Sequence, residues 1–64
     1  MTETVTAIPT DFYTEQGFIK SINMSSHPWT GETVVIEGKS YIVQEKAWDF
    51  DVSGIPLLVR IRVK

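Results

Sequence analysis

The residues of this sequence that could do chemistry are one histidine, two neighbouring aspartates and a basic row at the end of the chain. His27 could act as a general base, because the unperturbed pKa of histidine lies near neutrality. It lies in a loop with Ser25, Ser26 and Trp29, and no carboxylate neighbours it in the sequence to orient its ring. We therefore predict that the protein is not an enzyme and has no catalytic residue.

Metal and cofactor sites have equally little support. The 64 residues include no cysteine and one histidine, which excludes thiolate sites and leaves no transition-metal cluster. Asp49 and Asp51 flank Phe50 and would point the same way in an extended segment, where paired carboxylates can bind a cation. Calcium needs about six or more oxygen ligands at a characteristic loop spacing, which is absent here. We interpret the two aspartates as part of a solvated turn and predict no cofactor.

The basic row suggests nucleic-acid binding. Arg60, Arg62 and Lys64 alternate along the last strand, and small β-barrels bind single strands with a basic groove and stacking aromatic rings. The aromatic residues that could stack are Phe12, Tyr13, Trp29 and Phe50. The row is short, however, and the net charge is −2. Single-stranded nucleic-acid binding is therefore the second hypothesis, and a simpler interpretation is that the charges protect an edge strand from pairing with another chain.

Protein binding explains more of the sequence. Trp29 lies in a loop between Pro28 and Gly31, and Trp and Arg are enriched at interface hot spots. Trp29 could instead fold over an open end of a barrel as a plug. Val35 and Ile42 should share a second apolar face, which is either a small core under the N-terminal segment or a surface for a partner or a second copy. The predicted partner-binding residues are Trp29, Val35, Ile42, Arg60 and Arg62.

Strands must position these residues, since no segment of ten or more residues has the helical period with caps. β-Branched and aromatic runs alternate with turn residues along the chain, which is typical of a β-protein. We predict an all-β fold in a single domain over residues 1–64: a small five-stranded antiparallel curled sheet or barrel, SH3-like or OB-like. The predicted strands lie within residues 4–14, 18–25, 31–37, 40–48 and 57–64.

The stretch GETVVIEGKSYIV predicts a hairpin across residues 31–43. A turn at Gly38-Lys39 would pair Ile36 with Tyr41, whereas a turn at Glu37-Gly38 would pair Ile36 with Lys39, so the apolar pattern favours the first register. Two faces follow: one carries Val34, Ile36, Tyr41 and Val43, and the other carries Val35 and Ile42. A bulge near Glu45 and Lys46 would bring Trp48 back to the core face; otherwise Trp48 covers the second face.

The core is predicted from the inward face of each strand. Its members are Phe18, Ile22, Val34, Ile36, Tyr41, Val43, Leu57, Val59, Ile61 and Val63, with Trp48 also buried. No apolar run approaches the ~20 residues of a membrane span, and the N-terminus lacks the basic and apolar regions of a secretory signal. Together with the absent cysteine, this predicts a cytoplasmic protein that does not enter membranes.

The order of motifs also resembles a group of short phage and prophage proteins. Residues 28–48 contain a proline, a glycine–acid pair, a V-x-I strand, a glycine turn, a Y-x-V strand and a later tryptophan, and an alternating last strand follows. Together with GFIKSI at 17–22, the resemblance covers residues 12–64. It implies a small β-barrel-like protein encoded by a phage. By analogy, such proteins act as accessory factors or as inhibitors of a host protein, but the group has no assigned activity from which site residues could be transferred.

Overall fold

Five strands and no helix make up residues 7–64, the part of the chain that the computed structural model describes. The strands are β1 (Ile8–Thr14), β2 (Gly17–Met24), β3 (Thr33–Ile36), β4 (Lys39–Phe50) and β5 (Pro56–Val63). They form one sheet in the order β2-β1-β5-β4-β3, which curls into a half-barrel. The all-β class and the number of strands are confirmed, whereas the prediction that residues 4–6 are extended lies outside the described residues. Across this range, no helix is available that could span a membrane.

The sheet is mixed, which corrects the prediction of an antiparallel one. β1 pairs in parallel with β5, with Thr10 beside Val59 and Phe12 beside Ile61. The other three pairings are antiparallel. Because the parallel pair joins two ends of the chain that are far apart in sequence, no local turn signal could reveal it. β5 is therefore the central strand, and the interpretation of its charges as protection of an edge strand is wrong.

The core lies on the inner face of the half-barrel. Of the predicted core residues, Ile36, Val43, Val59, Ile61 and Val63 are buried. Ile22, Val34 and Tyr41 are partly buried and pack against them. The prediction is wrong for two residues, since Phe18 is 65% exposed and Leu57 is 54% exposed, and it omitted Phe12, which is 2% exposed.

Two β-bulges explain the errors at Phe18 and Leu57. Tyr13 pairs with Phe18 but Phe12 pairs with Lys20, so Ile19 is an extra residue in β2. One extra residue reverses the alternation of a strand, and Ile19 rather than Phe18 packs against the core. In β5, Leu57 is likewise the residue that the pairing with β4 skips.

The β3–β4 hairpin turns at Glu37-Gly38, so the predicted Gly38-Lys39 register is wrong. Both turn residues have positive φ, 51° and 81°, as in the type I′ turns that match the twist of a hairpin. Val34 consequently pairs with Tyr41. The predicted faces are nevertheless confirmed, because a register shift of two residues leaves every side chain on its original side. Val35 and Ile42 lie on the outer face and are 66% and 48% exposed.

The predicted bulge in β4 is confirmed one residue earlier, at Gln44. Val43 pairs with Val63 and Glu45 pairs with Arg62, so Gln44 has no counterpart in β5. The bulge turns Trp48 toward the inner face, opposite the buried Val59. Trp48 is still 40% exposed, which corrects the prediction that it is buried. The core face is therefore only partly covered at this end of β4.

We expect Phe12→Ala to lower the free energy of unfolding by about 3–5 kcal/mol, because it leaves a cavity between β1 and β5. The total free energy of unfolding of a domain of this size is about 3–10 kcal/mol, so Phe12→Ala could unfold the protein. The milder Phe12→Leu gives a smaller loss that can still be measured. Phe18→Ala is the control and should change stability by less than about 0.5 kcal/mol. Urea denaturation followed by tryptophan fluorescence measures all three, and equal losses at Phe12 and Phe18 would contradict the bulge in β2.

Replacing Glu37 by Asn should raise the free energy of unfolding by about 0.5–1 kcal/mol, because Asn tolerates the left-handed conformation that Glu37 adopts. The substitution also removes the exposed ion pair between Glu37 and Lys20, which contributes little to stability. Lys39→Asn, at an extended position, should be destabilising instead. A turn at Gly38-Lys39 would reverse the two results in the same denaturation experiment.

Candidate functional site

An exposed group of aromatic side chains lies on and beside the second half of β4. Trp48 and Phe50 extend from the end of the strand, and Lys46 precedes them on the same inner face, opposite Ile61. Trp29 comes from the loop between β2 and β3. We call Trp29, Lys46, Trp48 and Phe50 the aromatic surface.

Contacts between rings fix the position of Trp48. Its ring stacks on Phe50 with centroids 6.0 Å apart and an interplanar angle of 12°. His27 packs edge-on against it at 5.1 Å and 70°. Such aromatic pairs contribute about 0.5–1.5 kcal/mol beyond the area that they bury. Trp48 is therefore held on two sides while part of its ring faces solvent.

Lys46 fixes the second tryptophan. Its Nζ lies 4.4 Å from the ring centroid of Trp29 and 5.9 Å from that of Trp48. Cation–π contacts at exposed sites contribute about 0.5–1 kcal/mol. Trp29 is 71% exposed, so it does not plug the barrel. A cation placed between two indole rings orders both of them without covering either.

Hydrogen bonds hold the loop that carries Trp29 against β4. The Gly31 N–H donates to the carbonyl oxygen of Val43 at 2.8 Å, and the Glu32 N–H donates to that of Trp29 at 3.0 Å. The backbone N–H of Trp29 donates in turn to the Glu32 carboxylate. The loop is therefore a structured support for the indole ring.

His27 connects this loop to the buried Thr10 of β1. Nε2 of His27 and Oγ1 of Thr10 are 3.0 Å apart, and the hydroxyl donates its single proton to the carbonyl oxygen of Ile8 at 3.0 Å. The histidine must then be the donor, so its proton lies on Nε2. Burial, followed by the positive charge of Lys46, lowers the pKa of His27 below 6.5. His27 acts as a neutral hydrogen-bond donor that anchors the loop.

The two aspartates have separate structural roles. Asp49 lies on the outer face and accepts a hydrogen bond from Arg60 at 3.1 Å. Oδ1 of Asp51 accepts from the N–H groups of Ser53 and Ile55 at 2.8 and 2.9 Å, which stabilises the β4–β5 turn. The two carboxylates therefore have different partners, and the described residues bring no three His, Asp or Glu side chains together as a metal site.

The five residues predicted from sequence to bind a partner lie on two different faces. Val35, Ile42, Arg60 and Arg62 share the outer face, where the strand pairing sets Arg60 beside Asp11 and Arg62 beside Tyr13 and Glu45. Trp29 belongs to the aromatic surface. Sequence reasoning selected Trp29 and Phe50 by residue type and omitted Lys46 as a site residue. The only signal for Lys46 was its spacing of two from Trp48.

Exposed apolar side chains are concentrated near the aromatic surface. Nine large hydrophobic residues are exposed among those described: Phe18, Trp29, Val35, Ile42, Trp48, Phe50, Val52, Ile55 and Leu57. Six of these lie on or beside the end of β4 and its turn into β5: Trp29, Trp48, Phe50, Val52, Ile55 and Leu57. Groups of exposed apolar residues in a small domain mark interaction sites.

Fold and site together define a small all-β half-barrel with an exposed aromatic surface. Comparisons with protein-family models, curated proteins and solved structures found no match to this chain. The resemblance to short phage proteins therefore stays a prediction.

The lowered pKa of His27 predicts a pH dependence of stability. The unfolded chain binds this proton at a higher pH than the folded chain does, so stability falls as pH drops below the ordinary histidine value toward the folded pKa. The variant His27→Gln keeps an N–H donor and has no imidazole to titrate, so it lacks the loss of stability that His27 causes at low pH. Between about pH 7.5 and about pH 5.5, the variant should lose less unfolding free energy than the wild type. Urea denaturation at both pH values measures the difference.

Lys46→Met is the matched variant for this experiment, because it removes the positive charge that lowers the pKa of His27 and keeps the burial that also lowers it. The pH dependence of its stability should lie between that of the wild type and that of His27→Gln. Since His27 is the one histidine of the chain, an NMR titration of its ring reports the pKa directly. Identical pH dependence in the wild type and in His27→Gln would show that burial and Lys46 do not lower the pKa of His27 in the folded protein.

Proposed function

We propose that this protein is a non-catalytic protein-binding module that contacts its partner through the aromatic surface. The observation that carries the proposal is the exposure of Trp29, Trp48 and Phe50 in fixed positions. Trp and Arg dominate interface hot spots, and a ring that is already ordered loses little conformational entropy on binding. The partner supplies an apolar patch that covers these rings.

The distribution of charge favours a protein partner over single-stranded nucleic acid. Exposed stacking rings next to Lys46 are the feature that supports the nucleic-acid alternative. Phe12, however, is buried and unable to stack. Arg62 and Lys64 lie at the far end of β5 from Pro56, which pairs with Phe50. The six residue steps from Pro56 to Arg62 span about 20 Å of strand. Bases stacked on the rings would therefore hold their phosphates far from Arg62 and Lys64.

The sequence suggests two more specific proposals. The first is that the protein is a phage-encoded accessory factor or an inhibitor of a host protein, which rests on the resemblance of residues 12–64. The second is that the protein acts as a homodimer, so that its partner is another copy of the chain. Val35 and Ile42 support a dimer by their exposure on the edge hairpin, and Arg60 is committed to Asp49 on the same face. Both proposals are compatible with binding through the aromatic surface.

Replacing Trp29 and Phe50 by Ser should abolish partner binding without unfolding the protein, because both side chains lie outside the core. Each hot-spot truncation is expected to weaken binding by about thirtyfold or more. The measurement begins with capture from a lysate of cells that carry the gene and continues with the affinity of the purified partner for each variant. Analytical ultracentrifugation of the wild type over a range of concentrations identifies a second copy as the partner.

Val35→Ser is the control for a partner other than a second copy, because it removes an apolar side chain of similar exposure from the outer face. It should bind such a partner as the wild type does. The proposal fails if Val35→Ser and the Trp29/Phe50 double variant lose the same affinity. It also fails if oligothymidylate binds tightly at low salt and quenches tryptophan fluorescence, since that result favours the nucleic-acid alternative.

A further inference from the structure

A second site lies at the opposite end of the sheet from the aromatic surface. The β1–β2 turn, the first residues of β4 and the last residues of β5 surround an open groove of about 670 Å³. Three cationic residues line it: Lys39, Arg62 and Lys64. Glu15 is the one acidic residue of its lining.

These three cations form no ion pair with the described residues. The chain has six Lys and Arg residues. Lys20 pairs with Glu37 and Arg60 with Asp49, both at 3.1 Å, and Lys46 lies between two tryptophans. The remaining three all line the groove, although Glu45 lies opposite Arg62 in the strand pairing. A concave surface with one carboxylate and three cations that form no ion pair within residues 7–64 attracts an anionic ligand.

The walls of the groove are suited to a polypeptide. Phe18 and Tyr41 contribute aromatic rings, and Lys39 Nζ lies 5.8 Å from the centroid of Tyr41. β2 is an edge strand, and its residues Gly17–Ile19 line the groove. The backbone N–H and C=O groups along that edge are without a strand partner among residues 7–64. An extended peptide can pair with such an edge, and a nucleic acid has no equivalent groups.

We propose that this groove binds an acidic, extended segment of a protein chain, in which carboxylates alternate with apolar side chains. The carboxylates contact Arg62, Lys39 and Lys64, and the apolar side chains pack on Phe18 and Tyr41. Arg62 is the main anchor, because it is half-buried and its planar guanidinium can hold a carboxylate with two hydrogen bonds. Three cations are too few for tight binding of a polyanionic strand by a protein of net charge −2. The site is independent of the aromatic surface, so the failure of either proposal leaves the other intact.

The test uses a labelled peptide of alternating Glu and Leu as the probe, with the same peptide carrying Gln for Glu as its control. Fluorescence anisotropy gives the affinity, and amide NMR spectra of the protein locate the site. We expect the acidic peptide to shift the amide signals of Gly17, Phe18 and residues 39–41 and 62–64. Arg62→Gln should weaken its binding by about tenfold, and the Gln peptide should bind weakly to every form.

Two further variants complete the design. The double variant Lys39→Gln/Lys64→Gln removes two exposed cations and should keep the fold even if Arg62→Gln disturbs it. It should also bind the acidic peptide about tenfold more weakly than the wild type does. Arg60→Gln removes the same charge from the same strand outside the groove and should bind as the wild type does. Equal weakening by Arg60→Gln, equal binding of the Gln peptide, or tighter binding of oligothymidylate than of the acidic peptide would each overturn the proposal.

Discussion

The parallel pairing of β1 with β5 is the interaction on which the rest of this structure depends. It sets Thr10 and Phe12 beside Val59 and Ile61, and all four residues are at most 2% exposed. Without it, the chain would divide into the β1–β2 hairpin and a three-stranded β3–β4–β5 unit, and an isolated two-stranded hairpin is marginally stable at best. Since residues 7–64 provide no helix or second sheet to cover the inner face, the curl that follows from this pairing must bury the core.

Local signals in the sequence were sufficient for the strands and for some of the faces. The alternation of Val59, Ile61 and Val63 predicted a strand whose inner face proved to be buried. Phe18 was predicted wrongly because Ile19 is a bulged residue, so Phe18 lies on the face opposite to the one that strict alternation with Ile22 predicts. The turn was also misplaced, since apolar matching of Ile36 with Tyr41 was given more weight than the fit of Gly38 to a type I′ turn. The parallel pair had no local signal.

The candidate site was harder to predict than the fold, because contacts distant in sequence assemble it. Residue type alone identified Trp29 and Phe50, but the place of Lys46 between two indole rings depends on the bulge at Gln44. The hydrogen bond between His27 and Thr10 joins residues 17 positions apart. No pattern in either segment indicates the other, so the loop that carries Trp29 could be located only in the folded chain.

The two ends of the sheet differ in how far its inner face is covered. Val43 and Val63 are buried at one end, whereas Trp48 and Phe50 lie at the other end, where the inner face is only partly covered, and they add little to the core. Cation–π and stacking contacts nevertheless hold these rings and Trp29 in place. Ordering an exposed side chain costs conformational entropy without the gain of full burial. That cost lowers the stability of the free protein and raises the affinity for whatever covers the rings, because the entropy is already lost before binding.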